Sequence, residues 1–372
     1  VKALRFGRAA AVISVAALAL TACGSDNATN EPAAEGPASS AAGTAVSGTL
    51  TGIGASSQNS AMEAWKAGFE AANQGAMVQY SPDGSGAGRK AFVSGGAQFA
   101  GSDAFLKDEE MAQSVEVCGP DGALNVPAYI SPIAIAFNLG DVTELNLDAP
   151  TIAKIFKKEI STWNNPAIAA QNEGVELPDT PITVVHRSDE SGTTENFVDY
   201  LAAAAPEDWT YEVGGAWPAE LQSENAKGTS GVVQTVTSTD GAITYADASA
   251  VGDLGTAKVK VGEEYAEISS DAAAKAVEVA TPVEGRAELD MSLQLERDTT
   301  ESGTYPVVLV SYHVYCTTYD SQETVDLVKA FGSYVVSEDG QTEAAGSAGN
   351  APLSESLREK ALLAIDSIKV AS

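Results

Sequence analysis

Short apolar runs alternating with stretches of helical periodicity predict an α/β protein. Strand-like runs recur from Gly48 to Tyr315, and helical runs fall between them and after them. Two of the strand-like runs, Tyr129–Asn138 and Tyr305–Tyr315, are apolar enough to be buried on both faces, so each reads as a strand passing between domains. The length from about Gly48 to Ser372 suits two domains at ~150 residues each.

The chain opens with three cations, Lys2, Arg5 and Arg8, and an apolar run from Ala9 to Leu20. That run falls short of the ~20 residues of a spanning helix and has the length of a signal-peptide core. The segment ending Leu20-Thr21-Ala22-Cys23-Gly24 resembles a bacterial lipobox. We therefore expect residues 1–22 to be removed, Cys23 to be lipidated, and the mature protein to be extracytoplasmic and anchored to the cell membrane. Residues up to about Ser47, rich in Ala, Ser, Gly, Thr and Pro, read as a flexible tether.

Strands are predicted at Gly48–Ile53, Ala76–Tyr80, Leu124–Val126, Ile133–Asn138, Ile182–Val185, Ala242–Tyr245 and Val307–Tyr315. Helices are predicted at Ala61–Ala72 (Trp65 and Phe69 inward), Arg89–Val93, Asp108–Val115, Ala149–Lys157 and Thr194–Ala203. Four more follow at Ser230–Val236, Asp271–Val279, Ser321–Val336 and Ser354–Ile368.

The formal net charge is −30, and the chain without its first 22 residues carries 18 basic and 51 acidic residues, giving −33. No basic stripe exists to displace counterions, which argues against nucleic-acid binding. Anion binding survives, because salt screens distant charge beyond ~8–10 Å while dipoles inside a closed site act locally. The two histidines, His186 and His313, form no metal motif, so neither a metal nor another cofactor is expected. Trp163, Trp209 and Trp217 read as packing residues. Cys118 and Cys316 are expected to pair outside the membrane, with two buried free thiols as the alternative.

The richest motif is Arg187-Ser-Asp-Glu-Ser-Gly-Thr-Thr194, between a strand-like and a helix-like run. A strand entering a helix through small hydroxylated residues leaves free N–H groups at the helix start, where the dipole favours negative charge. Ser191, Thr193 and Arg187 complete a nest of donors for a tetrahedral oxyanion, and Asp189 is placed to clamp the guanidinium. Three other segments have related chemistry. Gly52 to Ser57 ends a strand with two serines, which alone would be an ordinary capped turn. Asp83-Gly-Ser-Gly-Ala-Gly-Arg89 is glycine-rich without being a nucleotide motif, and in isolation reads as a flexible loop. Phe99 to Ala104 carries Asp103, which in isolation reads as a helix cap but beside an anion site could accept the proton that phosphate retains and sulfate lacks.

Together these four segments resemble, in order and spacing, the PstS-type phosphate-binding protein of bacterial high-affinity phosphate ABC transporters. Ile160–Ile168, Leu177–Arg187 and Ala351-Pro-Leu are similar to that family as well, and the likeness runs from about Gly48 to Ile368. The resemblance implies a two-lobed periplasmic-binding-protein fold of class II type, each lobe a mixed sheet flanked by helices, joined by two crossovers. It implies lobe I at 48–134 plus 313–372 and lobe II at 135–312, with Cys118 and Cys316 in one lobe, which strengthens the expected disulfide.

The ligand set it implies is Ser56, Ser57, Ser85, Asp103, Arg187, Ser191, Gly192 and Thr193, with Asp189 as the arginine's partner. Many relatives have Thr-Phe in place of Ser56-Ser57, and many have Gly at Glu190, whose carboxylate is expected to point to solvent. The implied function is a non-enzymatic, monomeric lipoprotein that captures inorganic phosphate and delivers it to the transmembrane subunits of an ABC permease. The competing readings are a binder of another oxyanion, a phosphate-ester hydrolase with Ser191 as nucleophile, and an adhesive or signalling lipoprotein that keeps the fold.

Overall fold

Three parallel strands build the first part of the sheet, each followed by a helix, as parallel pairing requires. The computed structural model describes residues 46–371; the expected signal peptide, the lipidation site Cys23 and most of the tether lie outside them. Strands β1 (Gly48–Gly54), β2 (Ala76–Ser81) and β3 (Phe99–Ser102) pair in the order β2-β1-β3. Helices α1 (Asn59–Ala72) and α2 (Ser85–Val93) link them, and α3 (Asp108–Cys118) follows. Trp65 and Phe69 of α1 are buried as expected. Helix α2 begins four residues before the expected Arg89, so Ser85, Gly86 and Gly88 form its first turn rather than a flexible loop.

Strand β4 (Ala123–Phe137) is buried along all 15 residues. The sequence predicted two shorter strands here, Leu124–Val126 and Ile133–Asn138; Pro127 and Pro132 lie in the gap between them, and a proline removes a ladder hydrogen bond. Both prolines are tolerated. Pro127 lies beside a register shift, where Ala128 is an extra residue opposite Ser311/Tyr312, and Pro132 sits at the point where β4 changes partner.

The middle of the chain comprises β5 (Glu144–Leu147), α4 (Ala149–Phe156), α5 (Pro166–Ala169), β6 (Thr183–Arg187) and α6 (Gly192–Ala204). After these come β7 (Glu224–Ala226), α7 (Gly228–Thr237), β8 (Ala242–Asp247), β9 (Gly255–Val261), β10 (Glu264–Ala266) and α8 (Ser270–Glu278). Strand β9 was not expected; Ala257, Val259 and Val261 alternate inward, but the intervening Lys258 and Lys260 dilute the apolar signal. Two-residue strands β11 (Thr281–Pro282) and β12 (Leu293–Gln294) precede β13 (Val308–Cys316), which is antiparallel to both β3 and β4. The chain closes with β14 (Thr318–Tyr319), α9 (Gln322–Val336), α10 (Glu338–Ala348), α11 (Glu355–Asp366) and β15 (Lys369–Val370).

One sheet path, β2-β1-β3-β13-β4-β8-β6-β7, therefore runs through both halves of a two-lobed α/β fold. Residues 123–132 of β4 pair with β13, and residues 133–137 pair with β8. Cys118 and Cys316 form the expected disulfide, with Cα atoms 4.6 Å apart. Trp163, Trp209 and Trp217 are buried packing residues. Among the described residues no helix is long and apolar enough to cross a membrane, and no cluster of His, Cys, Asp or Glu has the arrangement of a metal site.

Candidate functional site

The carboxyl ends of β1, β3 and β6 open toward one crevice, and the first turns of α2, α6 and α7 meet there. Open α/β sheets bind ligands at this kind of position, and helix N-termini supply N–H groups and a favourable dipole for anions.

Asp103, just past β3, is the hub, and it is almost fully buried. Its Oδ1 accepts hydrogen bonds from Ser57 Oγ and Ser311 Oγ, each at 2.6 Å. Its Oδ2 accepts from Thr193 Oγ1 at 2.9 Å. Its backbone N–H donates to Ser85 Oγ (3.1 Å), and its carbonyl accepts from Asn196 Nδ2 (2.7 Å). Asp103 thus ties α1's entry, α2, α6 and β13 to one point, and it is not the helix cap that the sequence alone allowed.

The opposite wall is built from the arginine-led motif. Arg187 ends β6, and its Nε and Nη2 donate to the two oxygens of Asp189 at 2.8 and 2.5 Å. Asp189 Oδ1 also accepts from the Gly228 N–H at the start of α7 (3.0 Å). Burial alone would raise the Asp189 carboxyl, but the hydrogen bonds and charge of Arg187 outweigh it and hold the group below its ordinary value. The expected clamp on Arg187 is present in the geometry. Tyr245 ties β6 to α6, since its hydroxyl bonds Thr194 Oγ1 (2.7 Å) and accepts from the Arg187 N–H (3.3 Å). Ser191 caps α6 by accepting from the Thr194 N–H at 3.2 Å.

The two walls touch. Ser56 Oγ shares a 3.0 Å bond with Thr229 Oγ1 and accepts from the Thr229 N–H at 3.0 Å. The Gly86 N–H donates to the Glu190 carbonyl (3.1 Å), and Lys227 pairs with Asp83 at 2.7 Å. Gly192 packs so close that a Cβ there would lie 2.7 Å from both Asp103 Cβ and Ser85 Oγ. Only glycine allows that approach. Glu190 differs from expectation: although its side chain is 56% exposed, it lies over Gly86 and reaches Arg89 Nη2 at 3.3 Å, so it bridges the walls instead of pointing away. The attraction comes from Arg89, whose guanidinium is buried and also pairs with Glu110.

Of the residues singled out by sequence, Ser57, Ser85, Asp103, Gly192 and Thr193 meet directly. Ser56 meets α7, and Arg187 sits on Asp189. Sequence reasoning missed Ser311, Gln58, Thr229 and Asn196. Ser311 is a single hydroxyl inside an apolar strand, which is the one signal that could have drawn attention to it. The others have no signal, being ordinary polar residues near helix starts.

A family model described as a PBP superfamily domain matches residues 39–339. The chain is 36% identical over 369 residues to phosphate-binding protein PstS 3 of Mycobacterium leprae, covering 98% of this chain and 99% of that protein. It is 34% identical over 379 residues to phosphate-binding protein PstS 2 of Mycobacterium tuberculosis, covering 99% and 100%. Among solved structures, it shares its fold with PfluDING, a high affinity periplasmic phosphate-binding protein bound with phosphate (TM-score 0.67, 21% identity, 84% of this chain and 92% of that one). The phosphate-binding protein of Stenotrophomonas maltophilia gives a TM-score of 0.66 at 22% identity, covering 85% and 93%.

Proposed function

We propose that this chain, which belongs to the PstS family of phosphate-binding proteins within the PBP superfamily, captures inorganic phosphate between its two lobes and hands it to an ABC permease. The observation that carries this reading is Asp103, a buried carboxylate surrounded by hydroxyl donors and facing a helix N-terminus across the crevice. A carboxylate inside an anion site makes chemical sense when the anion brings its own proton. Monohydrogen phosphate does so and sulfate does not.

In this reading Asp103 Oδ2 accepts the phosphate proton, and Thr193 turns its hydroxyl from Asp103 to a phosphate oxygen. Ser56, Ser57, Ser85, Ser191 and Gly192 supply further hydroxyl or backbone donors. Arg187 supplies the one full positive charge, held in orientation by Asp189. Many preorganised dipoles in a water-excluding cleft hold the anion firmly despite a strongly acidic surface. The lobes swing about two crossings. The change of partner within β4 supports the first, at residues 132–134. The pairing of β13 with β4 from Val308 supports a second crossing near Val307, somewhat before the His313 expected from sequence.

The same proposal includes a lipid anchor at Cys23, a tether through residue 47, an extracytoplasmic location and a monomeric, non-enzymatic receptor. Hydrolysis at Ser191 gains no support, since its hydroxyl caps α6 and the neighbouring His186 Nδ1 bonds the Arg187 carbonyl at 2.9 Å. Calorimetric titration of the chain lacking residues 1–23, first stripped of bound phosphate, should give one phosphate per protein and little heat with sulfate. Equal binding of the two anions would defeat the phosphate reading in favour of a general oxyanion binder.

A further inference from the structure

Behind Asp103 lies a chain of hydrogen bonds that ligand contact alone does not require. Ser311, His313 and Tyr315 occupy alternate positions of β13 and so share one face of the strand. Gln58, at the start of α1, reaches between them. Ser311 Oγ is 2.6 Å from Asp103 Oδ1, Gln58 Nε2 is 2.5 Å from Ser311 Oγ, His313 Nε2 is 3.1 Å from Gln58 Oε1, and Tyr315 OH is 3.0 Å from His313 Nδ1. All five residues are buried, with at most 3% exposure.

The direction of every bond follows from one contact. Gln58 Nε2 also lies 3.3 Å from the Tyr312 carbonyl, which can only accept, so the amide nitrogen faces β13. Gln58 Oε1 then faces His313, whose Nε2 must carry the hydrogen, and Nδ1 accepts from Tyr315. Burial pushes His313 down to about 3, so the ring stays neutral and keeps this tautomer at ordinary pH. Because Gln58 donates to Ser311, the Ser311 hydrogen is left for Asp103. The register shift between β13 and β4 falls at Ser311/Tyr312, where such irregularities re-aim a side chain.

We propose that the Tyr315–His313–Gln58–Ser311 relay is a specificity device, which commits a second hydrogen, beside that of Ser57, to Asp103 Oδ1 and so obliges the ligand to bring its own to Oδ2. Ser311 and Gln58 are positioning residues that act through Asp103. This rests on the phosphate reading above. Without Ser311, Oδ1 keeps only the hydrogen from Ser57, its second lone pair is uncommitted, and the demand that the ligand bring a hydrogen to Oδ2 weakens. Other groups face Asp103. Tyr80 and Asp247 feel its charge, and Glu195, Asp199, Arg297 and Tyr312 line a small cavity beside it. None of them changes between variants at position 311.

The test is phosphate and sulfate titration of the full chain for wild type, Ser311→Ala, Ser311→Thr and Gln58→Glu, with thermal unfolding as a folding check. Ser311→Ala should lower the phosphate-over-sulfate ratio by roughly tenfold, as expected for one hydrogen bond to a charged group. Ser311→Thr should restore it. Gln58→Glu reverses the relay by accepting from Ser311 and should behave like Ser311→Ala. An unchanged ratio in a folded Ser311→Ala, or a threonine variant as impaired as alanine, overturns the relay while leaving phosphate binding intact. A wild type that binds no phosphate overturns both readings. The imidazole nitrogen shifts of His313 in the wild type provide a check independent of any variant: hydrogen on Nε2 supports the relay, and hydrogen on Nδ1 refutes it.

Discussion

The two walls of the crevice differ in chemistry, and in the proposed function they serve different ends. The wall built by β1, α2 and β3 presents hydroxyls and one carboxylate, with Asp103 locked by Ser57 and Ser311. The wall built by β6, α6 and α7 presents helix N-termini and one guanidinium, with Arg187 locked by Asp189. The first can discriminate, because a carboxylate rejects any oxygen that arrives without a hydrogen. The second can attract, because a full charge in a dry site is worth more than in water. Affinity and selectivity should therefore separate when the walls are altered one at a time.

Arg187→Ala should produce the largest change. Truncating one partner of a buried charged pair costs roughly 2–5 kcal/mol, so phosphate affinity should fall about thirtyfold or more by calorimetry. Asp189 would also be left buried and unpaired, which lowers stability. Arg187→Ala with Asp189→Ala should recover much of that stability and none of the affinity. Recovered affinity would break the assignment of attraction to the arginine wall.

Asp103→Asn addresses the other wall. It should reduce phosphate affinity less than it reduces the preference over sulfate, by about 1–3 kcal/mol in the competition ratio. If affinity and preference fall together, the proposed division of labour does not hold. Next in size is the pH dependence of the clamp. The folded-state value of Asp189 lies below its ordinary one, so its contribution to stability is full above about pH 4 and is lost only as pH falls through the lower folded value. Acid unfolding curves of wild type and Asp189→Asn should differ by about 1 kcal/mol above that range and converge below it. The smallest effect belongs to Lys227→Ala. Its pair with Asp83 spans the walls but is about half exposed on both sides, so affinity should scarcely change and any effect should vanish at high salt.

The legibility of the sequence differed between elements for physical reasons. Helix α1 was readable because Trp65 and Phe69 recur at helical spacing on one face. Helix α10 was not, since small residues such as Gly340, Ala344 and Ala348 form its buried side and leave no apolar stripe. The continuity of β4 was hidden by Pro127 and Pro132, which local rules count as breakers and which the sheet accommodates at a bulge and at a change of partner. The oxyanion motif at Arg187–Thr194 was legible because its chemistry lies within eight consecutive residues. Glu190 was misread because its partner, Arg89, is 101 residues away.

Local pattern alone determined the α/β class and the anion-binding character of Arg187–Thr194, while the other three segments joined the candidate site only through their resemblance to a known family. The first two are short-range properties, written in side-chain type and spacing of a few residues. Only the tertiary structure decided which hydroxyls address Asp103, which way the Gln58 amide points, and how closely Gly192 lets the walls approach. Each of these depends on hydrogen bonds or contacts between residues tens to hundreds of positions apart, and a donor's direction is settled only when all its neighbours are in place.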